Sequence, residues 1–286
     1  MTDDILRRLQ LTQLEILRVI DQVCKKAEIR YSLYAGTLLG AIRHQGFIPW
    51  DDDLDICMER SEYERFLREW ERQKPRGYIL QNKENAPHFS QSFTKIRKEH
   101  TTFLQHEWER GRYHTGIFVD IFPIDRMPEN KLQRLRFQLI GAHYQLMTRE
   151  FIPPKASLPV KFVAGFILAV SPARGRQRKR EKDLDYLMSF RENRLPAVAI
   201  ETIDTLRRPL PANMMDSYSE CLFEGETFPV IENWDAYLRC KFGDYMTLPP
   251  ESERAWKHHP LVLDFEHDLE ELSGGKGKPD LASAED

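Results

Sequence analysis

Cysteine is scarce in this 286-residue chain, and the four present form no pattern. Cys24, Cys57, Cys221 and Cys240 are scattered, with no two at C-x-x-C spacing. A zinc ribbon, a thioredoxin-like motif and a disulfide framework are therefore unsupported, and reduced thiols in the cytoplasm are expected. Neither charge sign is in large excess: 42 Lys and Arg against 45 Asp and Glu leave a net charge of −3. That excludes a strongly basic nucleic-acid binder. Long apolar runs are also missing. The best candidate, LPVKFVAGFILAV from Leu158 to Val170, falls short of the ~20 residues a spanning helix needs and is interrupted by Lys161. The opening MTDDILRRLQ has neither an apolar core nor a small-residue cleavage site, so no signal peptide is expected. No internal repeat is visible. With 41% hydrophobic and 30% charged residues, a core and a well-solvated surface can both be built.

The apolar rhythm predicts an opening helix over 4–27, with Ile16, Val19, Ile20, Val23 and Ala27 three or four apart. Strands are expected at Ile29–Tyr34, Asp51–Met58, Tyr78–Gln81, Ser92–Lys98 and Gly116–Phe122. LLGAIRH reads as a short helix, and Ser61 to Glu64 fits a capping box opening another that runs to about Trp70. From Lys131 helical patterns dominate, over 131–149, 157–170, 178–190 and 233–241. The expected fold class is α+β, a mixed-sheet core in the N-terminal half (about 1–130) with a mostly helical C-terminal half (about 131–272). Residues 273–286, SGGKGKPDLASAED, read as a disordered tail.

The strongest local signal is PWDDDLDI, residues 49–56. On a strand, Asp51, Asp53 and Asp55 share one face while Asp52 takes the other. Stacked carboxylates repel, and a hard divalent cation, Mg²⁺ or Mn²⁺, compensates them naturally. A solvated acidic loop is the competing reading, but apolar anchors flank this run on both sides. An EF-hand fails because Ile56 stands where the loop requires glycine. Upstream, YAGTLLGAIRHQG places Gly36 and Thr37 at a strand–helix junction, where backbone amides and a hydroxyl can meet a phosphate, with Arg43 as a charged partner. Downstream, TGIFVDIFPID sets Asp120 inside an apolar run, where a carboxylate is costly unless paired or metal-bound. A strand-edge aspartate facing solvent is the alternative there, and Asp125 reads as a turn residue. Lys95 and Arg97, on one face of a predicted strand, can hold phosphates or neutralise the acidic cluster. A solvated basic edge explains them equally well.

Together these residues resemble the LicD/fukutin family of nucleotidyltransferase-fold enzymes. The likeness is carried by Tyr34-Ala-Gly-Thr-Leu-Leu-Gly-Ala-Ile-Arg43, Gly46-Phe-Ile-Pro-Trp-Asp-Asp-Asp-Leu-Asp55, Val119-Asp-Ile-Phe-Pro-Ile-Asp125 and the closing NWDAYLRCKFGDYMTLPPESERAWKHH. It spans roughly Leu14 to His259. One departure is Phe242, where the family usually has tyrosine. The resemblance implies one catalytic domain over 1–272, a Gly36–Thr37 phosphate turn, an Asp53/Asp55 pair and Asp120 as third carboxylate, with Asp51 an additional acid. It also implies transfer of a phospho-alcohol, with phosphocholine from CDP-choline as the leading donor, to a glycan hydroxyl of teichoic acid or lipopolysaccharide. Metal held by Asp51, Asp53, Asp55 and Asp120 would assist, and Asp53 or Asp120 would take the proton. CDP-ribitol or another CDP-alcohol is the alternative donor, and a non-catalytic nucleotide-binding or peripheral-membrane scaffold is the alternative class. A D-x-D glycosyltransferase is disfavoured because its acidic pair would stand much further along the chain.

Three further features have double readings. FVAGFILAV followed by the basic SPARGRQRKREK (residues 162–182) is either an interfacial membrane anchor at a lipid-linked acceptor or a core helix with a solvated basic loop. The core helix is preferred. His258 and His259 either line the site or form a surface pair. Trp50, Trp108, Trp234 and Tyr237 either form a cage for a trimethylammonium group or serve separately as core.

Overall fold

The computed structural model describes residues 3–272, except 87, 90, 150–151, 153–156, 191–194, 201–202 and 208. The predicted tail from residue 273 lies outside the described residues. Helix α1 (Asp3–Lys26) forms where expected and buries Leu9, Ile16, Ile20 and Val23 along one stripe. The predicted strand at Ile29–Tyr34 contracts to β1 (Ser32–Leu33). Ile29 is still closing the end of α1, its N–H bonding the carbonyl of Cys24 at 2.9 Å, so extended pairing begins only at Ser32.

The chain then runs through α2 (Ala35–His44), β2 (Asp55–Glu59), α3 (Arg60–Gln73), β3 (Tyr78–Gln81), β4 (Thr94–Lys98), β5 (Thr102–Leu104) and β6 (Phe118–Arg126). The capping-box expectation is corrected, because β2 passes directly into α3. Glu59 is the N-cap and Ser61 already lies in the first turn. Tyr63, Phe66 and Trp70 bury one face of this helix.

The main sheet has the order β1-β2-β6-β4-β3 and mixed pairing: β2 lies parallel to β6, and the other neighbours are antiparallel. Strand β6 is its central strand and reads as a nearly continuous apolar run, as a strand covered on both faces must. It extends further than predicted, to Arg126. Pro123 lacks an N–H, but β4 accompanies β6 only as far as Ile121, so no β4 ladder bond is lost there. Asp125 is therefore a buried strand residue and not a turn residue. Arg60 holds it through two hydrogen bonds, Nε to Oδ1 at 2.8 Å and Nη2 to Oδ2 at 2.6 Å.

The second half departs from the expected mostly helical layer. It contains α4 (Lys131–Arg149), α5 (Leu158–Ala169), α6 (Ala173–Leu187), α7 (Ile203–Arg207), α8 (Trp234–Phe242) and α9 (Leu269–Leu272). It also supplies β7 (Ala197–Val198) beside β6, a hairpin of β8 (Tyr218–Phe223) and β9 (Glu226–Ile231), and β10 (Val262–Asp264) beside β5. The hairpin turns on Glu224 and Gly225, both at positive φ (54° and 80°), the tight geometry that suits the twist of paired strands. It docks onto the first half, with Ile231 N–H bonding Ser32 Oγ at 2.9 Å and Phe223 packing on Phe47. One core cluster accordingly runs from Leu9 to Tyr245, and a smaller one joins Met127, Phe137, Tyr144 and Leu187. Helix α5 is not the core helix preferred from sequence. Only Ala164 of its residues is buried, while Phe162 is 78% and Phe166 69% exposed.

Removing one partner of a buried ion pair strands the other, at a cost of about 3–5 kcal/mol, and Arg60 lies near the lower end because it is partly exposed. Arg60→Ala should therefore lose about 3 kcal/mol in urea unfolding. Arg60→Ala with Asp125→Ala should recover part of that loss.

Candidate active site

The parallel register of β2 and β6 sets Asp55 beside Asp120 at the start of both strands. On the other side of β6, β4 brings Lys95 opposite Asp120. Lys95 Nζ lies 2.6 and 2.9 Å from the two Asp120 oxygens and 3.3 Å from the centroid of the Phe118 ring. Arg97, two residues along, is also buried and donates from Nη1 to the Gly116 carbonyl at 2.6 Å, while its Nε has no partner. The solvated-edge reading of this basic pair is overturned, because β4 is an interior strand and both side chains are enclosed.

The acidic loop before β2 is not a strand, so the expected alternation of faces does not hold. Residues 51–54 are irregular, and oxygens of Asp51, Asp52 and Asp53 all come within 4.8 Å of one another. Two buried glutamines on α1 fix the loop by its backbone. Gln10 Nε2 bonds the carbonyl of Asp51 at 2.9 Å and Gln13 Nε2 that of Asp52 at 2.9 Å. Thr37 Oγ1 accepts the Asp55 N–H at 2.8 Å, joining the start of α2 to the start of β2. A Cβ on Gly36 would lie 2.6 Å from Asp51 Oδ2, so this glycine is the space into which the carboxylate fits. Ala35, just before it, takes a positive φ of 48° and donates its N–H to the Tyr237 hydroxyl.

Two basic side chains from much later in the sequence meet this loop. Lys257 Nζ stands 3.1 Å from Asp51 Oδ1. His258 donates its backbone N–H to Asp52 Oδ2 at 2.8 Å, and its Nδ1 lies 3.2 Å from Oδ1. His258 is thus a site residue and not a surface histidine. Lys257, Gln10 and Gln13 were not foreseen; the only hint was the polar Gln pair on an otherwise buried helix stripe and a lysine beside the paired histidines. Arg43 Nη1 donates to the Tyr245 carbonyl at 2.7 Å, and the charge of Asp51 reaches it. Three of the four aromatics of the cage reading have other ring or cation partners. Trp108 stacks on His106, Tyr237 on Tyr34, and Arg254 lies over Trp50.

Charge follows this geometry. Burial and then the neighbouring Asp53 push Asp51 up to about 7, against the pull of Lys257. Burial, Asp53 and Asp120 push Asp55 well up. Burial raises Asp120 as well, outweighing Lys95, and lowers Lys95 itself. The hydrogen bond to Asp52 raises His258. Asp53 acts on Asp51, Asp55 and Asp120 alike, which makes it the electrical centre of the cluster. Oxygen donors crowded in this way suit a hard cation, and the Asp51–Asp53 triad can hold one.

Residues 28–163 match the family model described as LicD/FKTN/FKRP, nucleotidyltransferase domain. Over 260 residues the chain is 28% identical to the lipopolysaccharide cholinephosphotransferase LicD of Haemophilus influenzae, covering 89% of this chain and 96% of that protein. An uncharacterised Rickettsia typhi protein is 30% identical over 127 residues, 44% of this chain and 38% of its own length. The domain match and the likeness along most of the chain support a phosphotransferase of the LicD type.

The raised Asp51 has a consequence for stability. Its carboxyl binds a proton more tightly in the folded chain (about 7) than at its ordinary 3.8, so the fold takes up a proton between these values. Its contribution to stability falls as pH rises from about 4 to about 7. In EDTA, the melting temperature of the wild type should drop more between about pH 5 and about pH 8 than that of Asp51→Asn. Parallel profiles would refute the assignment.

Proposed function

We propose that the chain transfers phosphocholine from CDP-choline to a hydroxyl of a cell-surface glycan, a lipopolysaccharide or teichoic acid sugar. A divalent cation, Mg²⁺ or Mn²⁺, is held by carboxylates drawn from Asp51, Asp53, Asp55 and Asp120. The observation that carries this reading is the convergence of five aspartates, Asp52 included, at the head of a parallel strand pair. Lys95, Lys257 and His258 lie against these carboxylates, and the charges of Arg97 and Lys241 also reach Asp120 and Asp55. The activity for which the Haemophilus relative is named, whose length this chain nearly covers, supports the choline and the lipopolysaccharide. The strand–turn–helix of β1, Gly36–Thr37 and α2 set against an acidic parallel pair supports the nucleotidyltransferase-like fold assignment.

In this reading the acceptor oxygen attacks the choline-bearing phosphorus, the bond to the cytidine monophosphate oxygen breaks, and the acceptor proton passes to a site carboxylate. Transfer of this kind depends on positioning and charge neutralisation more than on covalent chemistry by the protein. The bound cation would supply charge for the diphosphate and acidify the acceptor hydroxyl. Lys95 holds Asp120 in register with Asp55, and Gln10 and Gln13 hold the acidic loop so that the oxygens stay gathered. Asp53 and Asp120 are the candidate proton acceptors. The working unit is residues 1–272, with the acidic sheet of about 1–130 completed by groups from about 131–272.

Calorimetry with Mg²⁺ should show CDP-choline binding that EDTA or Asp53→Asn weakens at least tenfold, about 1.4 kcal/mol. Transfer to a glycan acceptor should fall by about 10³ in the same variant, on the scale of losing an electrostatic element. Tight CDP-ribitol binding without CDP-choline binding would overturn the donor. No metal-dependent binding of either would overturn the transferase reading and favour a scaffold.

A further inference from the structure

Among the described residues no helix is long and apolar enough to cross a membrane, yet α5 is the most apolar helix of the chain and turns outward. Its contacts are inverted relative to a core helix. The small Ala164 is buried, and Gly165 lies where a Cβ would meet Ile152 at 3.6 Å. The large side chains Leu158, Val160, Phe162, Val163 and Phe166 are 53–78% exposed. Helix α4 packs against α5 and adds a second stripe, Leu132, Leu135 and Leu139, spaced three and four apart and 53–77% exposed. Its opposite face buries Phe137. Outward apolar stripes on two helices in contact call for a covering phase.

The charge around it identifies that phase. Neither α4 nor α5 contains an Asp or a Glu, while both carry Lys or Arg. The basic segment that follows is tied to the end of α5. Arg176 Nε bonds the Ser171 carbonyl at 2.9 Å, and Lys179 Nζ bonds Ser171 Oγ at 2.6 Å. Arg178 and Lys182 on α6 stay exposed. At 12 residues α5 is about 18 Å long, too short for a hydrocarbon core of about 30 Å but suited to lying in its surface. We propose that α4 and α5 seat in the surface of an anionic lipid bilayer, with the basic residues of α6 set against its headgroups. This inference is independent of the reaction assigned to the acidic site.

The test is co-sedimentation of the full chain with vesicles of phosphatidylcholine alone, and of phosphatidylcholine with a minority of phosphatidylglycerol. The wild type should bind the anionic vesicles at least about tenfold more tightly, and high salt should reduce the difference. Phe162→Glu with Phe166→Glu should abolish vesicle binding, and Arg178→Glu with Lys182→Glu should remove the anionic preference. Both variants should keep the wild-type melting temperature and nucleotide binding, because the altered side chains face solvent. Absence of wild-type binding, or binding that survives Phe162→Glu with Phe166→Glu, would overturn the proposal. So would a wild-type dimer in sedimentation equilibrium that this pair of changes converts to monomer, since a second copy would then be the cover.

Discussion

Carboxylates packed closely enough to repel one another, and buried enough that water cannot screen them, are the central constraint on this molecule. Asp51 and Asp52 are 3% and 1% exposed, and Asp55 and Asp120 lie side by side at the head of two parallel strands. Each would rather face solvent or take up a proton. The fold holds them in place from several directions. Two glutamines grip the loop by its carbonyls, a threonine caps the first strand residue, a glycine clears the volume one carboxylate occupies, and Lys95, Lys257 and His258 soften the repulsion. A structure that gathers acids against their own electrostatics can receive positive charge.

The elements doing this work come from distant parts of the chain. The sheet sets Asp55 and Asp120 in register, and α1 crosses behind the acidic loop to supply Gln10 and Gln13. The polar segment after α8 returns with Lys257 and His258. The β8–β9 hairpin makes this return possible, because it packs on β1 and α2 and brings the following helix up to Tyr34. The Tyr237 hydroxyl then meets the N–H of Ala35, the residue whose left-handed conformation redirects the backbone from strand to helix.

Much of this was legible before any coordinates. Helices α1 and α4, strand β3 and the outlines of β4 and β6 follow from apolar periodicity, which reports burial directly. The family likeness followed from the Gly36 and Asp51–Asp55 motifs, whose spacing is unusual. The β8–β9 hairpin was not legible because its strands are half exposed and its turn is Glu-Gly, a weaker signal than Asn-Gly. The grouping of Asp52 with Asp51 was missed because period-two reasoning presumes a strand. Here Gln10 and Gln13 hold the backbone in an irregular path. Lys257 and Asp51 are 206 residues apart, a separation over which local pattern carries no information. The outward turn of α5 was hidden because an apolar run shows a preference for leaving water and is silent on whether protein or lipid provides the refuge.

That same long-range closure bears on how the molecule comes into being. During synthesis the acidic loop, the strand pair and α1 all emerge from the ribosome well before Lys257 and His258. A nascent chain can therefore assemble its sheet while the cluster still lacks two of its partners, Lys257 and His258. A chain cut short before Trp256 would keep most of its core yet leave Asp51 without Lys257 and Asp52 without His258.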